Sequence, residues 1–263
     1  MNYALITGAT SGMGLIYAER LAERGYSIVV VSNRMQENIA LVERLKSEYG
    51  VHARAIYADL CDENSARMIY EQTSSWGINV EILISNAGIL LFSQLHNTSE
   101  DNLRRIIALH CTTPTLLCRL YAEQMRRRGS GRIMIVSSAT AWMPYPTISH
   151  YAATKAYLRS FARSLWFEMR GTGVSVTALF PGAVDTPLYS LDEKYRRRLL
   201  RWGVMLSAEE VADKALRAMF RGRHRCIPGL FTKAMAAICA AMPDSLLLIV
   251  MKIPAVKRLL DRL

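Results

Sequence analysis

Short apolar runs alternate with helical patterns from the third residue onward. Residues 3–7, 27–31, 53–58, 82–85, 132–137, 175–180 and 225–227 read as strands. The β-branched run Ile28-Val29-Val30-Val31 is the mark of a strand buried on both faces. Between the strands lie helical stretches at 14–24, 37–49, 63–76, 99–128, 149–171 and 207–221. The first places Leu15, Ala18 and Leu21 on one face and stops at Gly25, and the second stops at Gly50. Pro114, inside the 99–128 stretch, predicts a kink or a packing offset there. Strands separated by helices of this length predict an α/β fold, a parallel sheet with helices on both faces. No repeat or linker divides the chain, so one domain is expected.

The apolar fraction of 51% supplies a substantial core and excludes a disordered chain. Cys61, Cys111, Cys118, Cys226 and Cys239 show neither a CxxC pair nor metal-ligand spacing. They read as reduced thiols of a cytoplasmic protein, with no metal site. No signal peptide is visible ahead of the first strand. The net charge of +11 is uneven: residues 186–263 hold 15 Lys/Arg against 7 Asp/Glu. Nucleic acid, an anionic membrane surface or ligand, and plain solubility compete to explain it. No aromatic–basic interleaving in the sequence supports nucleic acid.

The first strand runs into Thr7-Gly8-Ala9-Thr10-Ser11-Gly12-Met13-Gly14, where a helix begins. Gly8, Gly12 and Gly14 let the chain turn tightly and bring backbone N–H groups toward a pyrophosphate, while the helix N-terminus adds partial positive charge. Ser11 and Met13 belong to the same turn. Strand 2 ends in Ser32-Asn33-Arg34. No carboxylate stands there for a ribose 2′-OH, and Arg34 can meet a 2′-phosphate, so NADP(H) is favoured and NAD(H) remains possible. As a solvated residue, Arg34 would simply open the next helix.

Tyr151 and Lys155, four apart on a helix, share a face. An ammonium near a phenol favours the phenolate, which suits the pair to giving or taking a proton at a carbonyl oxygen. Ser138, just beyond strand 5, would face the crevice at the C-terminal edge of the sheet.

These residues carry a resemblance. Thr7-Gly8-xxx-Gly12-x-Gly14, Asn86-Ala87-Gly88, Ser138, Tyr151-Ala152-Ala153-Thr154-Lys155 and Pro181-Gly182 stand in the order and at the intervals of the short-chain dehydrogenases/reductases. The chain resembles that family over residues 2–227. The resemblance implies a three-layer, doubly wound Rossmann-type sheet of about seven parallel strands, hydride transfer with a nicotinamide, and a homodimer or homotetramer. It implies that Ser138 orients the substrate oxygen, Tyr151 is the acid/base, and Lys155 supports Tyr151 and binds the nicotinamide ribose. Asp59 with Leu60 is similar to the family's adenine-binding pair. Asn86, Ala87 and Gly88 are similar to the segment backing the cofactor, and Pro181, Gly182, Val184 and Thr186 to the one holding its carboxamide.

One position departs from the family. His110 stands where an Asn usually orders a relay water, through its backbone carbonyl at a distorted helix turn. Two ideas remain open: the backbone does the work whatever the side chain, or the imidazole shuttles protons.

Residues 187–206 correspond to the family's flap over the substrate. Leu188, Tyr189, Leu191, Tyr195, Leu199, Leu200, Trp202, Val204 and Met205, with Trp142, Met143, Pro144 and Tyr145, predict an apolar pocket for a lipophilic ketone or alcohol, steroid-like or acyl. Arg196, Arg197, Arg198 and Arg201 could attract an acidic substrate tail or form a solvated face. The catalytic domain is expected over 1–227. Residues 228–263 form an extension of it, two short apolar helices and a basic end (Lys257, Arg258, Arg262). Through 229–263 the extension could close the pocket, meet another copy or lie on a membrane. The rival reading is a catalytically silent dinucleotide-binding sensor or scaffold.

Overall fold

The computed structural model describes residues 2–142, 148–186 and 192–251. The expectations for Met143, Pro144, Tyr145, Leu188, Tyr189, Leu191, Lys257, Arg258 and Arg262 lie outside these residues.

The strands are β1 (Tyr3–Thr7), β2 (Ser27–Ser32), β3 (Ala53–Tyr57), β4 (Val80–Ser85), β5 (Gly131–Val136), β6 (Val174–Leu179), β7 (Ala183–Asp185), β8 (Met205–Ser207) and β9 (Arg225–Cys226). The helices are α1 (Gly12–Ala22), α2 (Met35–Tyr49), α3 (Ser65–Ser75), α4 (Glu100–Ile107), α5 (Thr113–Arg128), α6 (Ser149–Glu168), α7 (Glu193–Arg201), α8 (Ala208–Phe220), α9 (Leu230–Ala241) and α10 (Asp244–Met251). Seven strands form one sheet in the order β3-β2-β1-β4-β5-β6-β9, every neighbouring pair parallel. This is the expected three-layer, doubly wound α/β sheet.

Successive strand residues point to opposite faces, and the sequence fills both. Leu5, Val29, Val31, Ile133 and Ile135 pack with Leu117 and Tyr121 of α5 and Leu158 and Leu165 of α6. Their neighbours Ala4, Ile6, Val30, Ile84 and Met134 pack with Tyr17 and Leu21 of α1, Leu45 of α2 and Leu216 of α8. That double burial explains why the strands read as continuous apolar runs. The strand order reverses between β1 and β4, which opens a crevice at their C-terminal ends.

The 99–128 stretch is divided. α4 ends at Ile107, a π turn occupies Ala108–Thr112, and α5 begins at Thr113 with Pro114 in its first turn. Proline has no N–H to give to the carbonyl four residues back, here that of His110. The chain therefore widens by one residue before the helix resumes. Two features were not expected: the separate β7–β8 ladder and α7, which is capped by Asp192 accepting from the Lys194 and Tyr195 N–H groups. Three-residue strands are too short to show a period, and α7 is mostly charged surface.

Candidate active site

The crevice begins at the β1–α1 turn. Gly8 and Gly12 hold φ of 65° and 52°, where a side chain is strained. A Cβ on Gly14 would lie 2.1 Å from the Gly8 carbonyl oxygen, so only glycine fits. Thr7 and Asn86 lock this turn to the end of β4. The Asn86 and Ala87 N–H groups donate to Thr7 Oγ1 at 2.9 and 3.1 Å, and Asn86 Nδ2 donates to the Thr7 carbonyl at 3.0 Å.

Two adjoining cavities hold most of the expected residues. A cleft of ≈ 320 Å³ is lined by Gly8 and Ser11 of the turn, Asn33 and Arg34 after β2, Asp59 and Leu60 after β3, and Ala87 and Gly88 after β4. A smaller cavity of ≈ 80 Å³ shares Gly88 and Ile89 with it. Met13, Asn86, Ser138, Tyr151, Lys155, Pro181, Gly182, Val184 and Thr186 line the smaller one. Gly12, Gly14 and His110 line neither. The two glycines act through shape, since a Cβ on Gly12 would meet Thr186 at 3.3 Å. Arg105 and Ser32 also line the cleft and were not foreseen. Arg105 lies 3.4 Å from the Asp59 carboxylate. That carboxyl is held below its usual pKa, mainly by the Cys61 N–H donating to it.

Ser138 follows β5 and is buried. Its Oγ accepts from the Thr140 N–H at 3.2 Å, and the next residue, Ala139, donates its N–H to the Pro181 carbonyl at 2.8 Å. The two loops flanking the cavity are thereby joined. Tyr151 and Lys155 come from the first turns of α6. Lys155 is only 4% exposed, its Nζ donates to the Val136 carbonyl at 3.1 Å, and it lies 5.5 Å from the Tyr151 ring centre. Burial pushes its ammonium down to about 8, so it is still mostly charged at neutral pH.

His110 sits behind the cavity, 1% exposed, on the π turn. Its ring stands edge-on to Tyr151 at 5.6 Å. Nε2 accepts from the Ile89 N–H at 3.1 Å, so Nδ1 carries the proton and donates to Thr154 Oγ1 at 3.0 Å. Thr154 in turn donates to the Tyr151 carbonyl at 2.8 Å. Both ring nitrogens are engaged. Burial, then the charge of Lys155, hold the imidazole well below its ordinary pKa. Thr154 was missed because nothing in a YxxxK spacing marks the third residue as a link.

Among the described residues, none of the expected apolar wall lines the cavity at Tyr151. Trp142 stacks on Phe180 with ring centres 4.5 Å apart, and lines a separate cavity with Arg159, Arg163, His224 and Arg225. Tyr195 and Trp202 are exposed, and no described residue of 192–206 lines the cavity at Tyr151. Of the flap arginines, Arg196 pairs with Asp185 at 3.5 Å and Arg197 with Glu193 at 3.0 Å, while Arg198 lies over the Trp202 ring.

The profile of the short chain dehydrogenase family matches residues 2–196. Hydroxysteroid dehydrogenase-like protein 1 of Gallus gallus is 31% identical over 231 residues, 87% of this chain and 68% of that protein. The 17-beta-hydroxysteroid dehydrogenase type 3 of Rattus norvegicus is 28% identical over 228 residues, 86% of this chain and 71% of that protein. Among solved structures, a short-chain dehydrogenase from Sphingobium yanoikuyae in complex with NADPH superposes with a TM-score of 0.79 at 27% identity, covering 93% of this chain and 98% of the other.

Proposed function

The chain belongs to the short-chain dehydrogenase/reductase family, oxidoreductases that work between an alcohol and its carbonyl compound, and from that premise we propose that it interconverts a lipophilic ketone and its secondary alcohol with NADP(H), Tyr151 being the acid/base. One observation carries the reading: Ser138, Tyr151 and Lys155 line one small cavity that adjoins the long cleft behind the glycine turn.

The cleft fits a dinucleotide on its own geometry. Side chains are excluded at Gly8 and Gly14, and the first N–H groups of α1 have no helical acceptor of their own. Gly8, Ser11, Gly12 and Met13 would hold the pyrophosphate, and Asp59 and Leu60 the adenine side. Pro181, Gly182, Val184 and Thr186 would hold the nicotinamide. When bound, the nicotinamide supplies or accepts the hydride. Arg34, exposed at the start of α2 beside Asn33 and with no carboxylate in that loop, favours the 2′-phosphate of NADP(H).

Ser138 Oγ holds the substrate oxygen by a hydrogen bond. The Tyr151 hydroxyl gives that oxygen its proton in reduction and takes it back in oxidation. The Lys155 ammonium, fixed on the Val136 carbonyl, favours the phenolate at its most charged moment. His110 positions the site: through Ile89 and Thr154 it ties the β4 loop to the backbone of Tyr151. The names of the two hydroxysteroid-related proteins support a lipophilic, steroid-like substrate.

The test is NADPH oxidation by the purified protein against a panel of steroid and long-chain acyl ketones, with short sugars as controls. Turnover of lipophilic ketones is expected. Tight NADPH binding with no turnover of any carbonyl would favour a silent sensor instead.

A further inference from the structure

Helix α9 is apolar on the wrong side. The face turned to the protein carries Thr232, Ala236 and Cys239, a small and partly polar stripe. The face turned to solvent carries Leu230, which is 83% exposed, with Phe231, Met235 and Ile238 also exposed. The next helix, α10, leaves Leu246, Leu248 and Ile249 in solvent. A surface helix of a water-soluble face does the reverse. The outward stripe is also too concentrated to be scattered surface apolarity.

Beside this face lies a cleft of ≈ 330 Å³ lined by Arg217, Arg221, Arg223, Arg225 and Lys233, with Leu230 at its edge. Among the described residues none of these five cations has a carboxylate partner; the sixth in the cleft, Lys214, is paired with Glu210. Lys233 stands on α9 itself. Apolar side chains flanked by unpaired cations match a bilayer whose headgroups are anionic: the cations meet the headgroups and the apolar face enters the acyl boundary. A second copy fits less well. A twofold contact through this face would bring the same five cations against themselves. No helix among the described residues is long and apolar enough to cross a membrane, which leaves α9 and α10 lying in the interface.

The inner side of α9 reaches the candidate site. Thr232 Oγ1 is 2.5 Å from where a Cβ on Gly182 would stand, and the helix packs on the turn Ala139–Trp142 that follows Ser138. One helix therefore has an apolar face in solvent and its opposite face against the loops of the reaction cavity.

We propose that α9 and α10 dock the protein on an anionic lipid surface, so that the lipophilic substrate is drawn from the bilayer beside the site. The delivery half rests on the functional reading above. The docking half does not, and it is measured without turnover.

The experiment is flotation of the full chain with vesicles of phosphatidylcholine alone and of equal parts phosphatidylcholine and phosphatidylserine. Co-flotation with the mixed vesicles, weakened by salt, is expected. Each surface cation contributes about a fivefold gain in partition, so Arg217→Gln/Arg221→Gln/Lys233→Gln should bind the mixed vesicles on the order of a hundredfold less. Leu230→Ser/Phe231→Ser should lose binding to a similar extent with an unchanged thermal melt, since both side chains are exposed. Tyr151→Phe should float like the parent, so a failure of the catalytic reading leaves the docking result legible. Absence of flotation by the parent, or flotation of both variants equal to the parent's, overturns the proposal. So does a dimer in sedimentation that the serine variant dissolves without flotation, which would assign the face to a second copy. A melt lowered by the serine variant would make the face internal to the chain and overturn it too.

Discussion

In a His110→Asn variant the amide reaches no further than the imidazole Nδ1, so its NH₂ can still donate to Thr154. The Ile89 N–H loses the acceptor it held at 3.1 Å. A fully buried donor left unmet costs about 1–3 kcal/mol; this one is partly buried and a water can enter the vacated space, which brings the cost to about 1–2 kcal/mol. At roughly 2–4 °C per kcal/mol, Tm should fall by about 2–8 °C. That gap should depend on pH in a definite direction. Burial keeps the folded imidazole neutral well below its ordinary pKa. Below about pH 6.5 the unfolded chain therefore binds a proton the folded chain refuses, and the parent loses up to about 1.4 kcal/mol per pH unit. The Asn variant lacks this loss, so the Tm gap narrows from pH 7 to pH 5. His150 and His224, also shifted down, are present in both proteins and cancel. The backbone at residue 110 is untouched, and Pro114 still has no N–H to give to that carbonyl. Turnover should then stay within about tenfold, or about 1.4 kcal/mol of barrier, with an unchanged pH–rate shape. Thermal melts across pH and a pH–rate series on both proteins measure this. A well-folded variant that loses far more than tenfold, together with a limb near neutral pH, would refute the reasoning and make the ring a proton carrier.

Arg34→Ala should weaken NADPH by about ten- to a hundredfold, the worth of a charge-assisted phosphate contact, while NADH changes little; calorimetric titration of both cofactors reads the difference. Gly14→Ala places a Cβ 2.1 Å from the Gly8 carbonyl oxygen, so a loss of about 3 kcal/mol or more and of dinucleotide binding is expected, and a parent-like melt and titration would contradict it. Lys155, pushed down to about 8 in the fold, is more protonated in the unfolded chain between that pH and its ordinary 10.5. Parent stability should therefore rise relative to Lys155→Met by roughly 3 kcal/mol across that window, which denaturant melts at pH 7 and pH 10 can compare.

The sheet was legible because its central strands β1, β2, β4, β5 and β6 are buried on both faces and the long helices between them show their period. The glycine turn was legible for a harder reason: Gly14 stands where only hydrogen fits. Pro114 announced the break in the long helix, though not that it would be a π turn. Thr154 could not be read, because its part depends on a histidine 44 residues away. Trp142 was expected in the substrate wall and stacks on Phe180 instead, since sequence proximity to Ser138 does not fix the direction of a side chain. The sequence showed residues 230–242 as apolar. Only packing reveals that their larger side chains face outward.

The central claim rests on the Tyr151 hydroxyl, and Tyr151→Phe removes that oxygen alone. The most direct measurement pairs NADPH binding by calorimetry with steady-state reduction of an accepted lipophilic ketone, on the parent and on this variant. The account predicts an unchanged NADPH affinity and a turnover reduced by at least about a hundredfold, the lower range for a lost general acid. Near-parental turnover in the folded, NADPH-binding variant would contradict it.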